Sequence, residues 1–224
     1  MAQGKGQVGV LQPSSFEPTS LADRAYHAIR EMIVSLELRP GAVVDEPRLM
    51  ERLGIGRTPT REALRRLAQE GLVEVYPRRG MFVTGVDVRE LARLSEVRLV
   101  LEPEAARLAA ERATGADRDV LAGLLHELDA GSSELMDLDE RIHRAVYRAS
   151  HNHLLEATLE QYYVLALRIW AIALDRAHEL EEAVEAHRAL LQAIQDGDGE
   201  RAAATMRAHV EDFEQAMHRV LLTV

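Results

Sequence analysis

Apolar residues recur every three to four positions along most of this chain and switch to strict alternation in one short stretch. Ala25, Ile29, Met32, Ile33 and Leu36 carry a helical period. That spacing predicts a helix over 21–38, stopped by Arg39-Pro40-Gly41. A shorter helix is expected over 46–53, ending at Gly54. Beyond the tight turn Ile55-Gly56-Arg57, a third helix is expected to reach Gln69. Thr58 is its predicted cap, Pro59 its first residue and Gly71 its stop. Leu72 to Tyr76 alternates as a strand, Pro77-Arg78-Arg79-Gly80 is a turn, and Met81-Phe82-Val83 is a second strand. From Asp87 onward only helical periods occur, expected at 87–112, 117–129, 134–150, 153–176, 179–196 and 199–222. Asp198, inside the Gly197-Asp198-Gly199 break, is the predicted cap of the last. Met1 to Thr19 is rich in Gly, Gln, Ser and Pro without a period, and reads as a disordered arm.

The fold class is therefore mostly α. Helix, short helix, tight turn, helix and hairpin give a winged helix-turn-helix over 20–86, and an all-helical domain follows over 87–224. At about 100° per residue, Thr60, Ala63, Leu64 and Leu67 of the third helix share one arc, while Arg61 and Arg65 point the other way. An outward face with two arginines, next to a hairpin tipped by Arg78 and Arg79, suits a DNA major groove and its flanking phosphates.

Charge sharpens the division. The net charge of −10 argues against a nucleic-acid partner only if it is uniform, and it is not. Residues 1–86 hold twelve Lys/Arg against ten Asp/Glu, whereas 87–224 hold fifteen against twenty-seven. A locally basic head is fused to an acidic body. Cysteine is absent, which excludes disulfides and thiolate chemistry. No apolar run approaches the roughly 20 residues of a membrane span, and Met1 to Ser20 lacks the core of a signal peptide. A cytoplasmic location is expected.

Polar residues that interrupt apolar faces carry the remaining chemistry. Asp139 and His143 lie inside the apolar arc of their helix, four residues apart on one face. His187 sits among Leu190, Leu191 and Ile194, and His209 among Ala202, Met206 and Phe213, whereas His218 falls on the charged side. Each buried and unpaired polar group costs about 1–3 kcal/mol. Convergence on one divalent cation removes that cost. Four separately satisfied core residues are the alternative. Three imidazoles and a carboxylate suit zinc first, with nickel, manganese or iron also compatible. Arg98 interrupts the stripe of Leu91, Leu94, Leu101 and Ala105, with Glu102 one turn on. It forms either an internal pair with Glu102 or a guanidinium offered to a small carboxylate near the metal. Tyr163, Leu167 and Trp170 read as core.

The stretch Leu49 to Val83, with Arg57-Thr58-Pro59-Thr60-Arg61-Glu62-Ala63-Leu64 at its centre, closely resembles the DNA-binding domain of GntR-family bacterial regulators. The resemblance implies DNA contacts from Arg57, Thr58, Arg61 and Arg65, with the wing tip at Arg79 and Gly80 near the minor groove. The later residues Glu96-Val97-Arg98, Glu102, Asp139-Glu140-Arg141-Ile142-His143, Glu185-Ala186-His187 and His209 resemble the FCD ligand-binding domain of the FadR subgroup. This implies an antiparallel helical bundle and a homodimer on an inverted-repeat operator. It also implies a metal held by Asp139, His143, His187 and His209, and a small organic acid that meets the metal beside Arg98 and Glu102. Two departures stand out: Pro103 inside a helix, expected to kink or tighten it, and His151-Asn152-His153 in place of a usual Gly-Asn-Pro.

Together these readings give a transcription regulator, a repressor, controlled by a small carboxylate. The alternative from another class is a helical metalloenzyme with a DNA-binding head; within the regulator reading, the metal itself could be the signal, or a fatty-acyl ligand could bind without metal, against which the complete Asp/His set argues. The enzyme reading lacks a general base or second-metal carboxylate cluster at useful spacing.

Overall fold

The computed structural model describes residues 20–131, 135–173 and 181–221. The arm 1–19, the predicted helix ends at 134, 174–176, 179–180 and 222, and Ser132-Ser133 lie outside them. The head consists of α1 (Leu21–Val34), α2 (Glu46–Leu53), α3 (Arg57–Gln69) and the antiparallel hairpin β1 (Val73–Tyr76) and β2 (Gly80–Val83). Hairpin register pairs Val73 with Val83 and Tyr76 with Gly80, and Val43 adds one bridge to Phe82.

Two ends in the head differ from expectation. α1 stops at Val34 rather than Leu38, because Ser35 caps it and Leu36 enters the left-handed region at φ 60°. Leu38 then folds back, its N–H donating to the Met32 carbonyl, and packs on the core. α3 starts at Arg57, not Pro59, and its cap is Gly56 rather than Thr58. The Thr60 hydroxyl bonds back to the Gly56 carbonyl at 3.0 Å, which extends the helix through Thr58 and leaves the Thr58 side chain exposed. The predicted inward face holds: Thr60, Ala63, Leu64 and Leu67 are all fully buried. Leu64→Ala should lower stability by about 3 kcal/mol, within the usual 2–5 for a core leucine; a shift in the urea midpoint measures it.

A 3₁₀ turn at Val88–Glu90 leads into the all-helical domain. Its helices are α4 (Leu91–Arg112), α5 (Gly115–Asp129), α6 (Leu135–Ala149), α7 (His153–Ala173), α8 (Glu181–Gln195) and α9 (Gly199–Leu221). α5 begins two residues earlier than the periodicity indicated, because Thr114 and Asp117 form a capping box. α4 runs unbroken through buried Pro103. It is the central rod, packing chiefly on α9 and also on α6, α7 and α8. The α8–α9 turn needs its glycines: a Cβ on Gly199 would lie 3.0 Å from Arg107 Cγ. Asp198 caps α9 as expected, accepting from the Arg201 N–H at 3.0 Å.

One hydrophobic cluster runs from Ile29, Leu64 and Val83 in the head to Leu91, Tyr147, Leu159 and Trp170 in the bundle. A second, around Leu124, Ile142, Leu190 and Met206, lies within the bundle. Two buried arginines cross the seam in opposite directions. Arg30 of α1 pairs with Glu140 of α6 at 2.8 Å, and Arg168 of α7 donates to the Thr84 carbonyl just past β2. Burial alone pulls Arg168 down to about 10, and its Nε and Nη1 have no partner among the described residues.

Candidate functional site

Helical periodicity puts Asp139 and His143 on one face of α6. Packing then brings His187 of α8 and His209 of α9 to the same point. One donor atom from each lies within 4.8 Å of the other three, and all four residues are buried. His143 Nε2 faces His209 Nε2 at 3.1 Å and Asp139 Oδ1 at 3.8 Å, while His187 Nε2 is 3.0 Å from Asp139 Oδ1.

The electrostatics suit a cation. Burial and the imidazoles of His187 and His143 push His209 well below its ordinary value, so it stays neutral and keeps a lone pair at pH 7. Burial raises the Asp139 carboxyl, but His143 and His187 beside it outweigh that and hold the group ionised. His187 Nε2 is buried, and its 3.0 Å approach to Asp139 is not aligned as a hydrogen bond; no other partner meets it among the described residues. Two facing imidazole nitrogens and a poorly aligned third are poorly satisfied by protons alone. Four tetrahedral bonds of about 2.0–2.2 Å put donors roughly 3.3–3.6 Å apart, and the separations of 3.0, 3.1 and 3.8 Å bracket that range. The residues fit a divalent metal.

A supporting shell surrounds them. His143 Nδ1 faces Tyr147 Oη at 3.2 Å and Glu102 Oε2 at 3.3 Å. A proton on Nδ1 is therefore held there, which turns the Nε2 lone pair inward. The Tyr163 hydroxyl donates to Asp139 Oδ2, and its ring stacks on His143 with centroids 4.6 Å apart. Burial raises both tyrosines well above their ordinary value, so they remain donors. Periodicity had marked Tyr163 as core only. It is core, at 2% exposure, and its hydroxyl alone betrays the second role.

Arg98 and Glu102 form a direct buried ion pair. Burial pushes Glu102 up, but Arg98 and then His143 hold it down at about 2. The Arg98 guanidinium lies 5.1 Å from the Phe213 ring centre and 5.7 Å from that of Tyr163. Glu102 thus joins Arg98 to His143 rather than standing open to solvent.

On the head, Arg57, Thr58, Arg61, Arg65, Arg79 and Gly80 are all exposed. Arg61 Nε donates to Glu46 of α2 at 2.7 Å, which fixes its direction across the outer face of α3. Arg66 is not part of that face, because it pairs with Asp23 at 2.6 Å and covers the Tyr26 ring. At the wing tip Arg78 and Gly80 take φ of 65° and 102°. His151 occupies a left-handed turn at φ 49°, where glycine is the unstrained choice, and its Nε2 pairs with Asp117 at 2.8 Å. Among the described residues no helix is long and apolar enough to cross a membrane.

Comparison with known proteins agrees with this architecture. Residues 21–83 match the family of bacterial regulatory proteins called the gntR family, and residues 93–212 match the FCD domain. An HTH-type transcriptional regulator from an unstable DNA locus of Streptomyces ambofaciens is 32% identical over 203 residues, covering 87% of this chain and 84% of the relative. The galactonate operon transcriptional repressor of Escherichia coli K12 is 31% identical, over 83% of this chain and 93% of that protein. The solved structure of E. coli McbR/YncC superposes with a TM-score of 0.78 at 26% identity, over 90% of this chain and 98% of that one. The head matches one family model, the bundle matches the other, and relatives above 30% identity cover most of the chain, so the chain belongs to the GntR family of bacterial transcriptional regulators, with an FCD domain as its C-terminal half.

Proposed function

We propose that this regulator is a homodimeric repressor of the FadR type, whose grip on an inverted-repeat operator is set by a small carboxylate bound at a metal in the bundle. The observation that carries this reading is the convergence of four buried donors, from three helices, within 4.8 Å. The head would span 20–86 and the metal, effector and dimerisation domain 87–224. Arg57, Thr58, Arg61 and Arg65 would meet one half-site, with Arg79 and Gly80 at the adjoining minor groove. Asp139, His143, His187 and His209 would hold the ion, zinc before nickel, manganese or iron. When bound, the ion supplies a Lewis-acidic pole for one carboxylate oxygen. Glu102, Tyr147 and Tyr163 keep the donors aimed, and Arg98 offers the acid its positive charge.

Calorimetry tests the reading. Zinc-loaded protein titrated with a panel of two- to six-carbon acids should bind at least one, and that acid should weaken operator binding. Arg98→Ala should then raise its Kd about 10- to 100-fold, the scale of a charged hydrogen bond. An unchanged Kd would limit Arg98 to its internal pair with Glu102. Four protein donors also complete a tetrahedral shell, which favours a second reading in which the metal itself is the signal. Operator affinity measured with zinc alone and with zinc plus the acid separates the two: a response complete with zinc alone makes the metal the signal, and a further change on adding the acid makes the acid the signal.

A further inference from the structure

We infer that the Glu140–Arg30 ion pair is the coupling contact between the metal centre and the DNA-binding head. This rests on the proposal that Asp139 and His143 hold a metal.

Each of those donors is followed at once by a charged residue of the seam: Asp139 by Glu140, His143 by Arg144. α6 is a regular helix across all four, so a shift that re-aims the donors carries Glu140 and Arg144 with it. Glu140 Oε1 lies between two competing guanidinium groups. One is Arg30 Nη1 of the head at 2.8 Å, and the other is Arg144 Nη2 of its own helix at 3.1 Å. Arg30 is 4% exposed, so this contact is shielded from the screening that weakens surface pairs.

The contact has room to change. Arg30 holds the carboxylate through one nitrogen, and its Nη2 is buried with no partner among the described residues. A cavity of about 180 Å³ adjoins it, lined by Tyr26, Arg30, Glu70, Arg144, Glu160 and Val164 among others. Two arrangements are therefore available: a carboxylate shared by Arg30 and Arg144, and one held by both Arg30 nitrogens. Moving between them shifts α1 against α6.

From α1 the displacement reaches the reading helix through stiff contacts. α1 packs closely on α3. The Tyr26 hydroxyl donates to Glu70 at the end of α3 at 2.8 Å, and Arg66 of α3 donates to Asp23 at 2.6 Å. Arg30 and Glu140 are thus positioning residues, which touch neither metal nor DNA. In this inference both ends bias α1 between the observed packing and a second one that the free Arg30 nitrogen and the adjoining cavity leave room for, as physical coupling requires.

The test compares full-length protein loaded with zinc and stripped by chelator, on the inverted repeat that the wild type selects from random DNA. Wild-type operator affinity should differ about tenfold between the two states, the middle of the usual range for coupled sites. Amides of α1 should exchange at different rates in the two states. Arg30→Met and Glu140→Gln should each bind one zinc per chain yet show a zinc-dependent difference below about twofold in affinity and none in α1 exchange. Arg30→Lys, which keeps the charge, should keep most of the response. A merely structural pair would alter loaded and stripped protein equally. Glu140→Gln preserves shape and carries the test alone if Arg30→Met does not fold. A full zinc response in a folded variant overturns the inference and leaves the metal site standing. So does a wild-type protein that binds zinc without any change in operator affinity or α1 exchange. A wild-type protein that binds no zinc removes the proposed metal centre, and this inference with it.

Discussion

If the proposed metal site is right, His187→Ala should abolish zinc binding by the bundle while leaving it folded. His187 is the one donor contributed by α8 among the four, and among the described residues its Nε2 meets only Asp139, at 3.0 Å and out of line for a hydrogen bond. Loss of a supporting hydrogen bond to a ligand lowers metal affinity 10- to 100-fold. Loss of the ligand itself should exceed that, so zinc measured by elemental analysis after dialysis should fall below about a tenth of an atom per chain. Thermal unfolding separates this from a core defect. A ligand present at 1,000 times its Kd stabilises the native state by about 4 kcal/mol. Zinc should therefore raise the wild-type Tm by several degrees and leave that of His187→Ala unchanged. If the four residues were only a satisfied polar core, zinc would move neither Tm, and alanine would simply lower stability. Asp139→Asn gives an independent check, because it keeps the volume and the bond from Tyr163 but removes the charge.

The parts of this architecture that were legible in the sequence are those written within a single element. Thr60, Ala63, Leu64 and Leu67 faced inward and Arg61 and Arg65 outward because one helical period places all six. Asp139 and His143 were paired for the same reason, being one turn apart. The convergence of His187 and His209 on them is different in kind. It depends on how α8 and α9 are rotated against α6, and no local period encodes that. Burial of each imidazole could be read, but not their meeting. Glu102 was legible as a partner for Arg98, four residues before it, but not for His143 on another helix. Tyr163 looked like core because its ring is core. Arg30 and Arg168 gave no signal at all, since their partners lie 110 and 84 residues away. The three misplaced helix ends have local causes: a leucine in a left-handed turn where glycine is the usual marker, helical bonding to the Gly56 carbonyl that starts α3 two residues early, and the Thr114–Asp117 capping box that starts α5 early.

Arg61→Ala should abolish specific operator binding and leave the fold intact. The side chain is half exposed and makes one described contact, with Glu46 on α2, so its removal opens no cavity and leaves the unfolding midpoint unchanged. Its contribution lies in reading sequence. A bidentate arginine–guanine contact discriminates by about 1–3 kcal/mol. A two-fold symmetric dimer makes that contact twice, once per half-site. The combined loss of about 2–6 kcal/mol corresponds to a fall in affinity of roughly 30-fold to beyond 10⁴-fold. Binding to random DNA, which depends on phosphate contacts, should change little. Arg79→Ala provides the contrast. As a wing contact it should weaken operator and random DNA alike, and flatten the dependence of log affinity on log salt by about one per lost phosphate contact. Fluorescence anisotropy on the selected inverted repeat and on a scrambled duplex, at several salt concentrations, distinguishes the two patterns. Glu46→Gln should fall between them, because it frees the guanidinium from the carboxylate that aims it without removing it. Equal losses on operator and scrambled DNA for Arg61→Ala would move this arginine from the base edges to the phosphate backbone. The reading of sequence would then pass to Arg57 and Arg65, its neighbours on the exposed side of the same helix.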